Sequence, residues 1–159
     1  MTRSLGTLKP TVGIIGLGYW GEKLLRACLE LHLSVIVTDE DSKTRNRILR
    51  KYPHLYQYQD TKMLLHDPRV DACIIATPPL SHFALAQDAL QHHKHVLVEK
   101  PMTLHPKESA QLIDLAYRNK RLLMVDHIYL FSPLVERVKK ILKTHDIGTI
   151  STIRSERSI

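Results

Sequence analysis

The sequence predicts an α/β fold, a doubly wound parallel sheet with helices on both faces. Three observations carry this expectation. Strand-like and helix-like segments succeed one another along nearly the whole chain, the pattern of a parallel sheet whose crossovers are helices. Strand-like runs such as LSVIVT and VDACIIA are close to continuously apolar, as strands buried on both faces are. Finally, a glycine-rich segment, 16–21, stands between the first strand and the first helix.

The elements follow in order. Residues 11–16, TVGIIG, form a β-branched run ending in glycine, a buried strand. Residues 18–31 turn helical, with Leu24, Cys28 and Leu31 at i, i+4, i+7 and Leu25 and Leu29 widening the stripe. Glu22 and Arg26 are spaced to pair on the wet side. A second strand is expected at 33–38, then a helix capped by Asp41 or Ser42 and stopped near Tyr52 by Pro53. A short strand at 56–58 and a short helix at 61–66 precede the strand 70–76. The helix 81–92 turns inward either Phe83, Ala86 and Leu90 or Ala84, Leu85 and Ala89. A strand at 95–98, a helix at 106–119 with Pro106 in its first turn, and a strand at 121–125 follow. The last helix, 133–144, is built on Leu134, Val138, Ile141 and Leu142. Gly148 then releases the chain into an alternating, strand-like tail, 149–159. The expected domains are therefore 1–147 and a short start of a second domain, 148–159.

Composition sets the outer bounds. A chain of 159 residues, 43% hydrophobic and 25% charged, with six glycines and eight prolines, buries about 70% of its unfolded surface. It is neither disordered nor low in complexity. No run approaches the roughly 18 apolar residues that span a bilayer, and the first nine residues hold no apolar signal core. Two cysteines, Cys28 and Cys73, fit buried, inert thiols in a reducing compartment. The expectation is a cytoplasmic protein with no membrane partner. The net charge of +7 raises the question of nucleic acid, but its lysines and arginines lie in separate helical runs, 43–51, 118–121 and 137–143. No recognition helix, zinc spacing or aromatic RNA motif accompanies them, so solvated helix faces are expected and no nucleic-acid partner. His92, His93 and His95 cluster in sequence, yet no cysteine or carboxylate is expected to complete a ligand set, and no metal is expected.

The first strand–helix junction carries the chemistry. Gly16-Leu17-Gly18-Tyr19-Trp20-Gly21 is G-x-G-x-x-G with a strand before it and a helix after it, the context that gives this spacing meaning. Gly16 lets the strand turn, Gly18 clears the approach of a pyrophosphate, and Gly21 lets helix and strand pack closely. The free N–H groups and dipole of the helix start then receive the phosphates. Asp39, 23 residues after Gly16, ends the second strand. A carboxylate there accepts from ribose hydroxyls and repels a 2′-phosphate, so NAD is favoured over NADP, with Lys43 and Arg45 close enough to oppose that preference.

Two later junctions agree. Ala76-Thr77-Pro78-Pro79-Leu80-Ser81-His82 and Glu99-Lys100-Pro101 each follow a strand, at the carboxyl edge where open α/β sheets bind ligands. Lys100 and His127 both stand at strand ends, where a functional reading competes with a structural one. The Lys100–Pro101 bond is of the type that tolerates the cis form.

Taken in order, VGIIGLGYWG, ACIIATPPLSHF, HVLVEKPMTL and LLMVDHIYLFSP resemble the glucose–fructose oxidoreductase, inositol dehydrogenase and rhizopine catabolism (Gfo/Idh/MocA) family of NAD(P)-dependent sugar oxidoreductases. The likeness runs from about Thr11 to the end. GLGYWG and DHIYLFSP look most like its nucleotide-sugar branch, which oxidises UDP-N-acetylhexosamine-type sugars at C3. The resemblance implies pyrophosphate binding by Gly16, Gly18 and Gly21, with backbone N–H groups from Tyr19 and Trp20. It implies that Asp39 holds the adenosine ribose, that Thr77, Pro78 and His82 line the dinucleotide, and that Glu99 lies near the nicotinamide ribose. Lys100 and His127 would be catalytic, Lys100 orienting the sugar hydroxyl and assisting its deprotonation. Asp126 departs from the small residue usual before that histidine.

Family members also continue into a second α/β domain that binds the sugar. The strand-like tail is then expected to leave Ile150 and Ile153 without partners, favouring a homo-oligomer or a separate chain that supplies the second domain. A stand-alone dinucleotide-binding module without catalysis of its own is the alternative function.

Overall fold

The computed structural model describes residues 9–144, 148–154 and 156. They divide into two compact units, Met1–Asp126 and His127–Ile159. The expected boundary at 147/148 lies inside the second unit, beside residues outside the description.

The first unit is a six-stranded, all-parallel sheet in the order β3-β2-β1-β4-β5-β6. Its strands are β1 (Thr11–Ile15), β2 (Ser34–Thr38), β3 (Tyr56–Gln57), β4 (Ala72–Ile75), β5 (His95–Val98) and β6 (Leu123–Val125). Helices α1 (Tyr19–Glu30), α2 (Ser42–Lys51), α3 (Thr61–His66), α4 (His82–Gln91) and α5 (Pro106–Arg118) connect them, with a 3-10 turn at Pro79–Ser81 before α4. The order reverses direction between β1 and β4, the switch point outside which such sheets bind ligands.

Two apolar clusters, one on each face, hold the sheet. Val12, Ile14, Leu25, Val37, Ile48 and Leu55 belong to one; Ile15, Ile36, Leu64, Ile75, Leu90 and Leu112 belong to the other. Successive residues of β1 face opposite clusters, which is why the strand reads as apolar throughout. On α1 the buried stripe is Gly21, Leu25 and Cys28, while Leu31 is exposed beyond the helix end. On α4 the inward residues are His82, Ala86, Ala89 and Leu90, close to the first of the two expected faces. Asp41 caps α2, its carboxylate accepting from Lys43 and Thr44 N–H.

Two expectations are corrected. Glu22 does not pair with Arg26. It binds Lys51 at 2.6 Å and Arg47, both reaching across from α2, while Arg26 pairs with Glu30. Burying α1 and α2 side by side makes the cross-helix partner available, and two cations outcompete one. The 43–51 basic run is thus partly tied into the fold. Residues 149–154 of the expected strand-like tail have no regular structure, since a strand without a neighbour leaves its backbone groups unpaired; residues 155 and 157–159 of it lie outside the described residues.

In the second unit, a 3-10 turn at Ile128–Phe131 leads into α6 (Pro133–Lys143), which has no buried residue. Among the described residues no helix is long and apolar enough to cross a membrane.

Candidate dinucleotide site

A cavity of about 710 Å³ opens in the first unit at the carboxyl ends of the strands, around the switch point. Its walls come mainly from four junctions, with Thr61 at the start of α3 and Leu85 on α4 added to them. Ile15, Gly16, Gly18, Tyr19 and Trp20 bring the β1–α1 turn, and Asp39 and Glu40 the end of β2. Ala76, Thr77, Pro78, Pro79, Leu80 and Ser81 follow β4, and Glu99 and Lys100 follow β5.

The three glycines have separate reasons. Gly16 has φ +90, in the left-handed region that glycine alone enters freely, and a Cβ there would lie 2.6 Å from the Ala76 carbonyl oxygen. A Cβ on Gly21 would lie 1.9 Å from the Gly16 carbonyl oxygen, so only glycine lets α1 lie this close to β1. A Cβ on Gly18 meets nothing within 4 Å. Gly18 is the position whose missing side chain faces open space, and it is also the N-cap of α1, with no side chain bonding the first N–H groups. Those donors and the helix dipole are left for an anion. A pyrophosphate therefore fits this turn on the chain's own geometry.

Asp39 does two things. Its Oδ2 accepts the Leu17 N–H at 2.6 Å and its Oδ1 the Asp41 N–H at 2.9 Å, fixing the carboxylate at the cavity wall. Arg45 donates to the carbonyl oxygens of Asp39 and, at 3.2 Å, Glu40. A carboxylate and a guanidinium thus stand at the same strand end. Sequence reasoning missed Glu40 and Leu80, both cavity residues; Leu80 is 85% exposed. An exposed leucine in a loop after a strand was the available signal.

Tyr19 and Trp20 form an edge-to-face pair at the rim, and the Lys23 ammonium lies over both rings, 4.1 and 4.6 Å from their centroids. The Tyr19 hydroxyl accepts from Lys23, which lowers its pKa. Trp20 is a partly exposed wall residue, not core.

His82 is corrected. It is fully buried behind the wall, with Nδ1 2.8 Å from the Pro101 carbonyl oxygen and Nε2 2.8 Å from that of Thr77. It tethers the loops after β4 and β5, and is absent from the cavity lining. Thr77 and Ser81 share a hydroxyl hydrogen bond of 2.7 Å that closes the first of these loops.

Lys100 is exposed at the cavity, and its bond to Pro101 is cis. Glu99 is less accessible and accepts the Lys100 N–H at 3.2 Å. Burial raises the Glu99 pKa above the usual carboxylate range, and the Asp126 carboxyl beside it adds to the rise. The register Val98↔Val125 puts these two acids at neighbouring strand ends. His127 opens the second unit, where it is exposed and its carbonyl accepts the Leu130 N–H.

Among the histidines, His92 meets neither His93 nor His95. Its partners are Asp88, one turn back on α4, and His66 at the end of α3. The expectation that no carboxylate joins it fails, because helix periodicity brings in Asp88, four residues back, and helix packing brings in His66 from farther along the chain.

A six-stranded parallel sheet with an open glycine turn at its switch point defines a Rossmann NAD(P)-binding domain. Residues 11–127 match the oxidoreductase family, NAD-binding Rossmann fold, and the chain belongs to this Gfo/Idh/MocA family. An uncharacterized oxidoreductase of Synechocystis sp. is 30% identical over 91% of this chain and 39% of its own length. The UDP-N-acetylglucosamine 3-dehydrogenase of Acidithiobacillus ferrooxidans is 29% identical over 80% of this chain and 40% of its own. A 3-ketoreductase from Actinomadura kijaniata, solved in complex with TDP-benzene and NADP, superposes with TM-score 0.80 at 25% identity, over 90% of this chain and 45% of its own. The chain spans about two fifths of the length of these relatives.

Proposed function

We propose that this chain is the cofactor domain of an oxidoreductase that moves hydride between a nicotinamide and a hydroxyl of a sugar or nucleotide sugar, with NAD preferred to NADP. The open space at Gly18 beneath the bare start of α1 is the observation that carries the cofactor reading. Relatives that act on a nucleotide sugar support the substrate class.

A bound nicotinamide would supply the hydride acceptor for the oxidation of a carbinol carbon. The turn 16–21 receives the pyrophosphate, Asp39 the adenosine ribose, and Thr77 and Pro78 form wall beside the dinucleotide. Glu99 lies toward the nicotinamide ribose. Lys100, exposed at the cavity, would orient the sugar hydroxyl and assist its deprotonation, its ammonium donating to the oxygen on which charge develops. For His127 the support is its place in the motif DHIYLFSP. A partner chain, a second copy or one supplying a sugar-binding domain, belongs to the same proposal, and the exposed Ile150 and Ile153 support it. The buried free thiols of Cys28 and Cys73 suit the cytoplasm.

The test is reduction of NAD⁺ by a panel of polyols and UDP- and TDP-sugars, using protein that includes the sugar-binding part. Lys100→Ala should lower turnover by about 10²-fold or more, the scale of a lost acid–base group, while leaving NAD binding and melting temperature nearly unchanged. A destabilised variant with normal turnover would remove Lys100 from the chemistry.

A further inference from the structure

Away from the cofactor cavity, α3 and α4 bring three metal-ligating side chains together. The Asp88 Oδ1 lies 2.9 Å from His92 Nδ1 and 3.4 Å from His66 Nε2. One ligand atom from each residue falls within a 4.8 Å span. A tetrahedral zinc ion with ligand bonds of about 2.0–2.1 Å separates its ligands by about 3.3 Å, so each histidine nitrogen already stands near that spacing from the Asp88 oxygen. We propose that His66, Asp88 and His92 form a surface site for a divalent transition ion of the zinc class, with water in the remaining positions.

The scaffold favours this assignment. Asp88 and His92 are four residues apart on one helical face, a spacing that points two side chains at one place. His66 comes from the C-terminal end of α3, and buried residues fix both helices: Leu64 and Leu65 on α3, Ala86, Ala89 and Leu90 on α4. The two imidazoles are stacked, with centroids 3.8 Å apart and planes at 23°. Binding requires them to turn edge-on to a common ion. Side-chain exposures of 47% for His66 and 41% for His92 leave them free to do so. Two imidazoles and a carboxylate suit zinc and its neighbours rather than calcium or magnesium, which take mostly oxygen ligands.

The site is separate from the cofactor cavity. Leu85 on α4 lines the cavity, whereas His92 follows the helix end, seven residues and about 10 Å further along at 1.5 Å each. An ion here would staple α3 to α4 without touching the glycine turn, so its consequence is stability, not chemistry at the nicotinamide.

The experiment is a zinc titration by calorimetry on tag-free protein, repeated with His66→Ala, His92→Ala and Asp88→Asn. Metal-free melting curves establish that each variant is folded. One zinc per chain is expected in the native protein, with affinity at least roughly tenfold weaker in every variant, the scale on which even a ligand's supporting partner matters. Zinc should also raise the native protein's melting temperature and leave that of His92→Ala unchanged. Binding that survives in the histidine variants, binding indifferent to Asp88→Asn, or no binding of zinc, nickel or copper would each overturn the proposal.

Discussion

The carboxylate of Asp39 and the backbone of Leu17 are joined, Oδ2 accepting the Leu17 N–H at 2.6 Å. The residue expected to read the ribose therefore also holds the glycine turn in place. Asp39→Asn keeps an oxygen for Leu17 but removes the charge that opposes a 2′-phosphate, with Arg45 already at the same strand end. The ratio of NADP(H) to NAD(H) affinity should rise about tenfold or more, a difference of about 1.4 kcal/mol. Asp39→Ala also loses the turn hydrogen bond, worth about 1 kcal/mol, and should melt about 2–4 °C lower. Titrating both cofactors into both variants checks this. An unchanged ratio in Asp39→Asn would show that the carboxylate does not select between them.

The glycines separate binding from folding. Gly18→Val places a side chain in open space, so its melting temperature should stay close to native while dinucleotide affinity collapses. Gly21→Ala puts a Cβ 1.9 Å from a backbone oxygen and should cost about 3 kcal/mol or more, at the upper end of overpacking. Denaturant melts and NADH titrations on the two variants should show opposite patterns.

Asp67 sets an acid limit on stability. Its carboxylate is almost fully covered and bound by Arg69 at 2.7 Å, with the Tyr58 hydroxyl donating at 3.0 Å. Hydrogen bonds from Arg69 chiefly hold its pKa at about 2, below the ordinary 3.8. A depressed acid contributes stability above its unfolded pKa and loses it as pH falls through the folded one. The contribution of about 2 kcal/mol should therefore be present above pH 4 and gone near pH 2. Asp67→Asn should be clearly less stable at pH 7, and the gap should close on acidification. A gap independent of pH would place the effect in packing.

Glu99 and Asp126 work in the opposite sense. Burial and the neighbouring carboxyl raise the Glu99 pKa, so its contribution is greatest below the unfolded carboxylate range and is lost as pH rises through the folded value. Asp126→Asn should remove part of that loss and raise the melting temperature at pH 7 by about 1–2 °C, the effect of a few tenths of a kcal/mol. The gain should vanish at pH 4. A variant that melts lower at pH 7 would show that Asp126 is held by partners that outweigh the repulsion.

What the sequence revealed follows from the range of each interaction. Alternation, caps and glycine spacing are local, so the order of strands and helices, the Asp41 cap and the turn 16–21 were legible. Partners chosen across helices were not: Glu22 turned to Arg47 and Lys51, and His92 to His66. Lys94 shows the same limit. It stands between two histidines with no local mark of burial, yet it is buried, its ammonium donating to the Asp67 and Val70 carbonyl oxygens at 2.7 Å each. His82 lay in the right loop, but only the packing of two loops shows that it braces the wall from behind.

The proposed function requires that the cavity at the β1–α1 turn take a nicotinamide dinucleotide with its pyrophosphate over Gly18. The most direct measurement is a fluorescence titration of NADH into the native chain and into Gly18→Val, with a melting curve for each. Saturable binding at one site per native chain is expected, and loss of that binding in a variant that melts as the native protein does. Equal NADH affinity in a folded Gly18→Val variant, or no saturable binding by the native chain, would contradict it.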